Sequence, residues 1–103
     1  MKPLHWTPTA LGGLARVREF LGRENVSAAQ RAVRRIRRAA DMLRRHPELG
    51  RPCEDDEFPD LREVLAPFGR GAYVIRYRRI DPDAVVVLRV WQNRTARIVH
   101  ERP

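Results

Sequence analysis

Cysteine, lysine and long apolar runs are nearly absent from this 103-residue sequence, and each absence excludes a class of protein. A single cysteine, Cys53, can form no internal disulfide, which fits a reducing cytoplasm better than a stapled secreted scaffold. The longest uninterrupted apolar run, Ala84 to Leu88, falls far short of the roughly 20 residues that cross a bilayer. The opening Met1-Lys2-Pro3-Leu4-His5-Trp6 has no apolar core of the kind a secretory signal needs. No P-loop or dinucleotide-binding glycine pattern occurs, so no cofactor is expected, and no internal repeat recurs. His5, His46 and His100 stand alone, without metal-ligand spacing, so no metal site is expected.

Arginine is abundant instead. Lys2 is the only lysine among 21 basic residues, which leaves 20 arginines against 13 acidic residues and a formal charge of +8. The sequence pI is about 11.3. A guanidinium group is planar and carries several donors, which suits phosphate and carboxylate partners. A polyanion or an acidic protein is therefore the expected partner, although a GC-rich genome would enrich arginine without any functional cause. With 43% hydrophobic residues the chain can bury one small core. A single domain over residues 1–103 is expected, with a short tail from about residue 95.

Hydrophobic spacing orders the elements. Leu4 to Thr7 alternates and predicts a short strand. Thr7-Pro8 then supplies an N-cap and a proline at the first helical position. The helix is expected from Pro8 to about Gly22, with Leu11, Leu14, Val17 and Leu21 on one stripe. A second helix is expected behind the capping box Ser27-Ala28-Ala29-Gln30, burying Ala29, Ala32, Val33, Ile36, Ala40 and Leu43. His46-Pro47 should end it. Arg31, Arg34, Arg35, Arg38 and Arg45 then cover much of its outer surface, which reads as a solvated face or, less simply, a second docking surface.

After a stretch rich in proline and acid (47–60), strands are expected at Leu61–Pro67, Ala72–Ile80 and Ala84–Trp91. Gly69-Arg70-Gly71 and Asp81-Pro82-Asp83 are the intervening turns. In the last strand Val86, Leu88 and Val90 should oppose Val87, Arg89 and Trp91. The expected class is α+β: a strand, an antiparallel helical hairpin and a three-strand antiparallel meander, with the helices on one face of a twisted sheet.

Arginines within strands are the informative feature. Arg62, Arg76, Arg78 and Arg89 interrupt apolar strands, Arg70 sits in a turn, and Arg94 follows the last strand. With Trp91 they are expected to form a basic groove on the sheet face away from the helices, fit for phosphate or for an acidic protein segment. The simpler alternative is one wet, charged face of an antiparallel sheet. His5 reads as a structural histidine, and Tyr73 and Tyr77 as packing residues. His100 is a candidate to fold back over the groove. Cys53, beside Glu54-Asp55-Asp56-Glu57, is a poor nucleophile, because negative charge opposes thiolate formation.

Several strings carry a resemblance. Leu4-His5-Trp6-Thr7-Pro8, His46-Pro47-Glu48-Leu49-Gly50-Arg51-Pro52, Leu61-Arg62-Glu63, Tyr73-Val74-Ile75-Arg76-Tyr77 and Val86 to Arg94 together resemble the RelE/ParE superfamily of type II toxin–antitoxin toxins, over nearly the full chain. The resemblance implies a growth-inhibitory cytoplasmic toxin. It also implies a hetero-oligomer with a cognate antitoxin, whose acidic carboxy-terminal segment wraps the toxin. ParE-like members poison DNA gyrase; RelE-like members cleave messenger RNA on the ribosome. Val64 stands where RelE-like nucleases tend to carry a lysine, and Gln92 where many relatives carry a histidine. Glutamine takes no proton near neutral pH, so gyrase poisoning is the favoured expectation. The alternative is the ribosome-dependent endoribonuclease, which would rest on Arg62, Arg94 and His100. A plain nucleic-acid-binding regulator is a third class, without a helix-turn-helix signature in support.

Overall fold

The computed structural model describes residues 2–55, 57–80 and 83–93. Seven elements follow in order: β1 (Leu4–Trp6), α1 (Pro8–Gly22), α2 (Val26–Met42), β2 (Arg51–Pro52), β3 (Arg62–Phe68), β4 (Gly71–Ile80) and β5 (Ala84–Asn93). The expected α+β class and its antiparallel meander β3-β4-β5 are present, and both helices cover one face of the sheet. The sheet has five strands in the order β1-β5-β4-β3-β2, with β1 parallel to β5. None of the described helices is long and apolar enough to cross a membrane.

Thr7 caps α1 as expected. Its hydroxyl accepts from the Ala10 amide and donates to the Leu88 carbonyl, both at 3.0 Å, so the cap also ties the helix to β5. The inward stripe of α1 differs from the expected one. Ala10, Gly13, Leu14 and Val17 are buried, whereas Leu11 is 48% exposed. Gly13 explains the rotation: a Cβ there would collide with the Val90 carbonyl, so the bare backbone lets α1 lie directly on β5. With positions 10, 13, 14 and 17 inward, residue 11 points about 100° away from the core.

The start of α2 is also corrected. Asn25 is the N-cap, in extended conformation, and its side chain accepts from the Ala28 amide at 2.9 Å. Ser27 already lies inside the helix and accepts from Arg31 instead of forming a capping box with Gln30. Asparagine is as good a cap as serine and comes first along the chain. All six residues expected to be buried by this helix are buried, Ile36, Ala40 and Leu43 completely. The helix ends at Met42, before His46-Pro47.

Two features of the sheet were not expected. The first is β2, whose Arg51 and Pro52 pair with Glu63 and Arg62 at the sheet edge. The second is a register shift beside Arg76 and Tyr77: Arg76 faces Arg89, yet Tyr77 faces Val87, which leaves Leu88 as an extra residue. This bulge changes the phase of β5. Val85, Val87 and Val90 are all buried, so Val87 leaves the face shared by Arg89 and Trp91. On β4 the expected alternation holds, with Tyr73, Ile75 and Tyr77 in the core.

Candidate anion groove on the open sheet face

The meander's register builds a charged row across three strands. Glu63 of β3 faces Arg76 of β4, which faces Arg89 of β5. Arg76 donates from Nε and Nη2 to one oxygen of Glu63, at 2.9 and 2.6 Å. That bond holds the guanidinium further above its ordinary pKa. The guanidinium groups of Arg76 and Arg89 lie 5.1 and 4.8 Å from the centre of the Trp91 ring. The ring's negative face thus attracts two cations that would otherwise repel each other.

Beside this row Arg78 lies over the ring of Phe58, 4.9 Å from its centre, and donates to Asp60 at 3.1 Å. Phe58 is placed by Asp55, whose carboxylate accepts from the Glu57 and Phe58 amides. Between the sheet and this loop is a groove of about 490 Å³, lined by Thr7, Thr9, Phe58, Arg76, Arg78 and Arg89 among others. Arg89 is exposed and makes no ion pair among the described residues.

The expected groove residues therefore separate. Arg76, Arg78, Arg89 and Trp91 meet on the open face. Arg62 does not join them. It faces Tyr77 on the helix side, where its guanidinium donates to the Gly50 carbonyl at 2.6 Å and the Glu48 carbonyl at 3.3 Å. Strand parity is the reason, since Glu63 takes the open face and its neighbour must take the other. Arg70 lies exposed in the β3–β4 turn, about 17 Å along β4 from Arg76, and is no part of the groove. Arg94, His100 and the tail from residue 95 lie outside the described residues.

Glu63, Asp60 and Phe58 are the contributors that sequence reasoning missed. The signal was the turn. Phe68 faces Gly71, and Gly69 adopts a φ of 61° in a tight two-residue connection. Counting back from that pair places Glu63 opposite Arg76.

Other titratable groups have plain surroundings. Burial pushes the Cys53 thiol above its ordinary value, and the nearby Glu63 carboxylate adds to the shift, so the sulfur stays protonated as expected. Tyr77 is fully buried. Its hydroxyl donates to the Pro47 carbonyl at 2.7 Å and accepts from the Gly50 amide at 2.8 Å, which anchors the 47–50 loop. His5 is exposed and its imidazole makes no hydrogen bond among the described residues, so it is not the satisfied structural histidine expected. No group of three metal-ligating side chains is found among the described residues.

The family model described as the ParE toxin of the type II toxin–antitoxin system parDE matches residues 4–97. Toxin RelE3 of Caulobacter vibrioides is 37% identical over 90 residues, covering 87% of this chain and 92% of its own length. Toxin RelE2 of the same organism is 40% identical over 82 residues, covering 79% and 84%. A solved chain from the chromosomal ParDE system of P. aeruginosa superimposes with a TM-score of 0.70 at 22% identity, covering 89% of this chain and 96% of that one. That likeness speaks for the fold, and the family match adds the function class. The chain belongs to the ParE toxin family of type II toxin–antitoxin systems.

Proposed function

We propose that this toxin acts in the cytoplasm by poisoning DNA gyrase, and that the acidic segment of its antitoxin neutralises it by docking on the open-face groove. One observation carries the choice of target. Of the nuclease candidates, Arg62 is engaged by backbone carbonyls on the opposite face and Arg94 lies outside the described residues, while the groove arginines Arg76 and Arg78 are engaged by Glu63 and Asp60. RNA cleavage through the 2′-hydroxyl also needs a general acid or base within hydrogen-bond reach of the phosphate site. His5 is the one imidazole on this face among the described residues, and Val86 separates it from Arg78 across two strands. An unpaired Arg89 beside paired neighbours supports binding of a carboxylate-rich chain more than bond cleavage.

Gyrase supercoiling with purified toxin, run beside message cleavage in a translating extract, tests the reading. Loss of supercoiling with intact message is expected, with antitoxin reversing it. Cleaved message with normal supercoiling would reverse the assignment and make Arg94 and His100 the next residues to substitute.

A further inference from the structure

Among the described residues, a run of arginines without carboxylate partners lies away from the groove, on the helix side. Where α2 runs beside the start of the chain, two successive recesses follow the seam. One of about 860 Å³ is lined by Lys2, Pro3, Arg44, Arg45 and Asp83. The next, about 400 Å³, is lined by Leu4, Trp6, Arg34, Arg37, Arg38 and Asp41. Both carboxylates of this trough are already taken, Asp83 by Lys2 at 3.3 Å and Asp41 by Arg44 at 3.2 Å. Arg34, Arg37, Arg38 and Arg45 are exposed and have no carboxylate partner among the described residues. Arg31 and Arg35, on the same helix, are held by Ser27 and the Pro67 carbonyl.

From this arrangement we infer that the α2 trough binds the phosphate backbone of duplex DNA, independently of sequence and of the open-face groove. Like charges three and four residues apart on a helix repel, and a solvated helix face ordinarily alternates them with glutamate. Here Arg34 has arginines at both spacings, so a polyanion would relieve a repulsion the fold leaves standing. From Arg34 to the end of α2 at Met42 is about 12 Å at helical rise, with Arg45 in the turn just beyond. A duplex presents about seven phosphate charges over that length. An acidic peptide would need apolar pockets for its anchoring side chains. Leu4 and Trp6, at the floor of the trough, are half-buried and already packed against the core, so guanidinium groups are what protrude.

The test is fluorescence anisotropy of a short, labelled, mixed-sequence DNA duplex with the full chain across a salt series. The native chain should bind, and affinity should fall steeply with salt. Arg34→Gln, Arg37→Gln and Arg38→Gln together should lower the log–log salt slope by between two and three and weaken binding at least tenfold, since each lost phosphate contact removes about 0.9. The same three positions as lysine should keep the slope, and Arg76→Gln with Arg89→Gln should leave it unchanged. Circular-dichroism melts check folding, and if the triple variant is unfolded, Arg37→Gln alone should lower the slope by about one. The inference is overturned if the native chain does not bind the duplex, if the slope survives the glutamine variants, or if the groove variant lowers it equally. It is overturned too if poly-glutamate displaces the labelled duplex at a lower concentration of charge than unlabelled duplex does, which would make the trough a seat for an acidic chain.

Discussion

Arg76 and Arg89 face each other directly across β4 and β5, and both guanidinium groups lie against the ring of Trp91. Like charges in a cross-strand pair are destabilising unless something compensates them. Glu63 compensates on one side only, so the pair is asymmetric: Arg76 is satisfied within the chain and Arg89 is not. An incoming carboxylate therefore meets one arginine ready to bind and one that must first exchange partners.

That asymmetry sets the order of effects on antitoxin binding. Arg89→Ala should weaken it by about 1–3 kcal/mol, as for a desolvated arginine anchor. Arg76→Ala should cost less, and Arg34→Ala with Arg38→Ala less again. Titration calorimetry with the antitoxin's carboxy-terminal segment measures all three. A larger loss from the α2 arginines would place the antitoxin on the other side of the molecule.

Glu63→Gln should separate binding from stability. Removing the internal carboxylate releases Arg76 and should tighten the antitoxin segment several-fold, while unfolding free energy falls by about 1 kcal/mol for a partly buried ion pair. Cys53 offers a second readout. With Glu63 neutral its thiol should alkylate faster at neutral pH, although burial, the larger cause of its raised pKa, remains.

The paired glycines of α1 should respond in opposite directions. Gly13→Ala forces a methyl into the Val90 carbonyl and should destabilise the fold by about 1–3 kcal/mol or more. Gly12→Ala meets nothing closer than a flexible arginine end at 3.6 Å. It should therefore stabilise the fold by up to about 1 kcal/mol through helix propensity. Urea denaturation of the two variants checks the contrast.

Tyr77→Phe should cost about 1–3 kcal/mol, because the Gly50 amide and the Pro47 carbonyl both lose a buried partner. Burial raises the pKa of Tyr77, and of Tyr73, above the value of an unfolded chain. The folded state therefore holds these protons more tightly. The associated stability is complete below the unfolded value near pH 10 and is lost as pH rises through the folded one. The variant should lose stability less steeply in that alkaline window, with Tyr73 keeping part of the slope.

Local signals made most of the fold legible. The Thr7-Pro8 cap, the α2 core spacing and the β4 alternation each follow from neighbouring residues, and each appears where expected. What was hidden depends on pairs distant in sequence. Leu11 reads as core until Gly13 meets Val90. Val87 reads as a neighbour of Arg89 until the bulge separates them. Arg62 reads as part of the groove until the register, set by a tight turn at Gly69, assigns that face to Glu63. Four of the residues named from sequence meet on the open face, and the carboxylates that restrain two of them were not named.

The parallel pairing of β1 with β5 has a consequence for synthesis. Leu4 to Trp6 are made well before Val85 to Val87 and wait for them before any strand can pair with them. Until β5 emerges, α1 also lacks the surface on which Gly13 rests, and the groove lacks the wall that Leu88 and Arg89 supply. The fold cannot close progressively from its amino terminus, and its long-range pairing forms late. A growing chain therefore lacks a complete open sheet face until β5 has emerged, which leaves a partner made alongside it that interval in which to arrive.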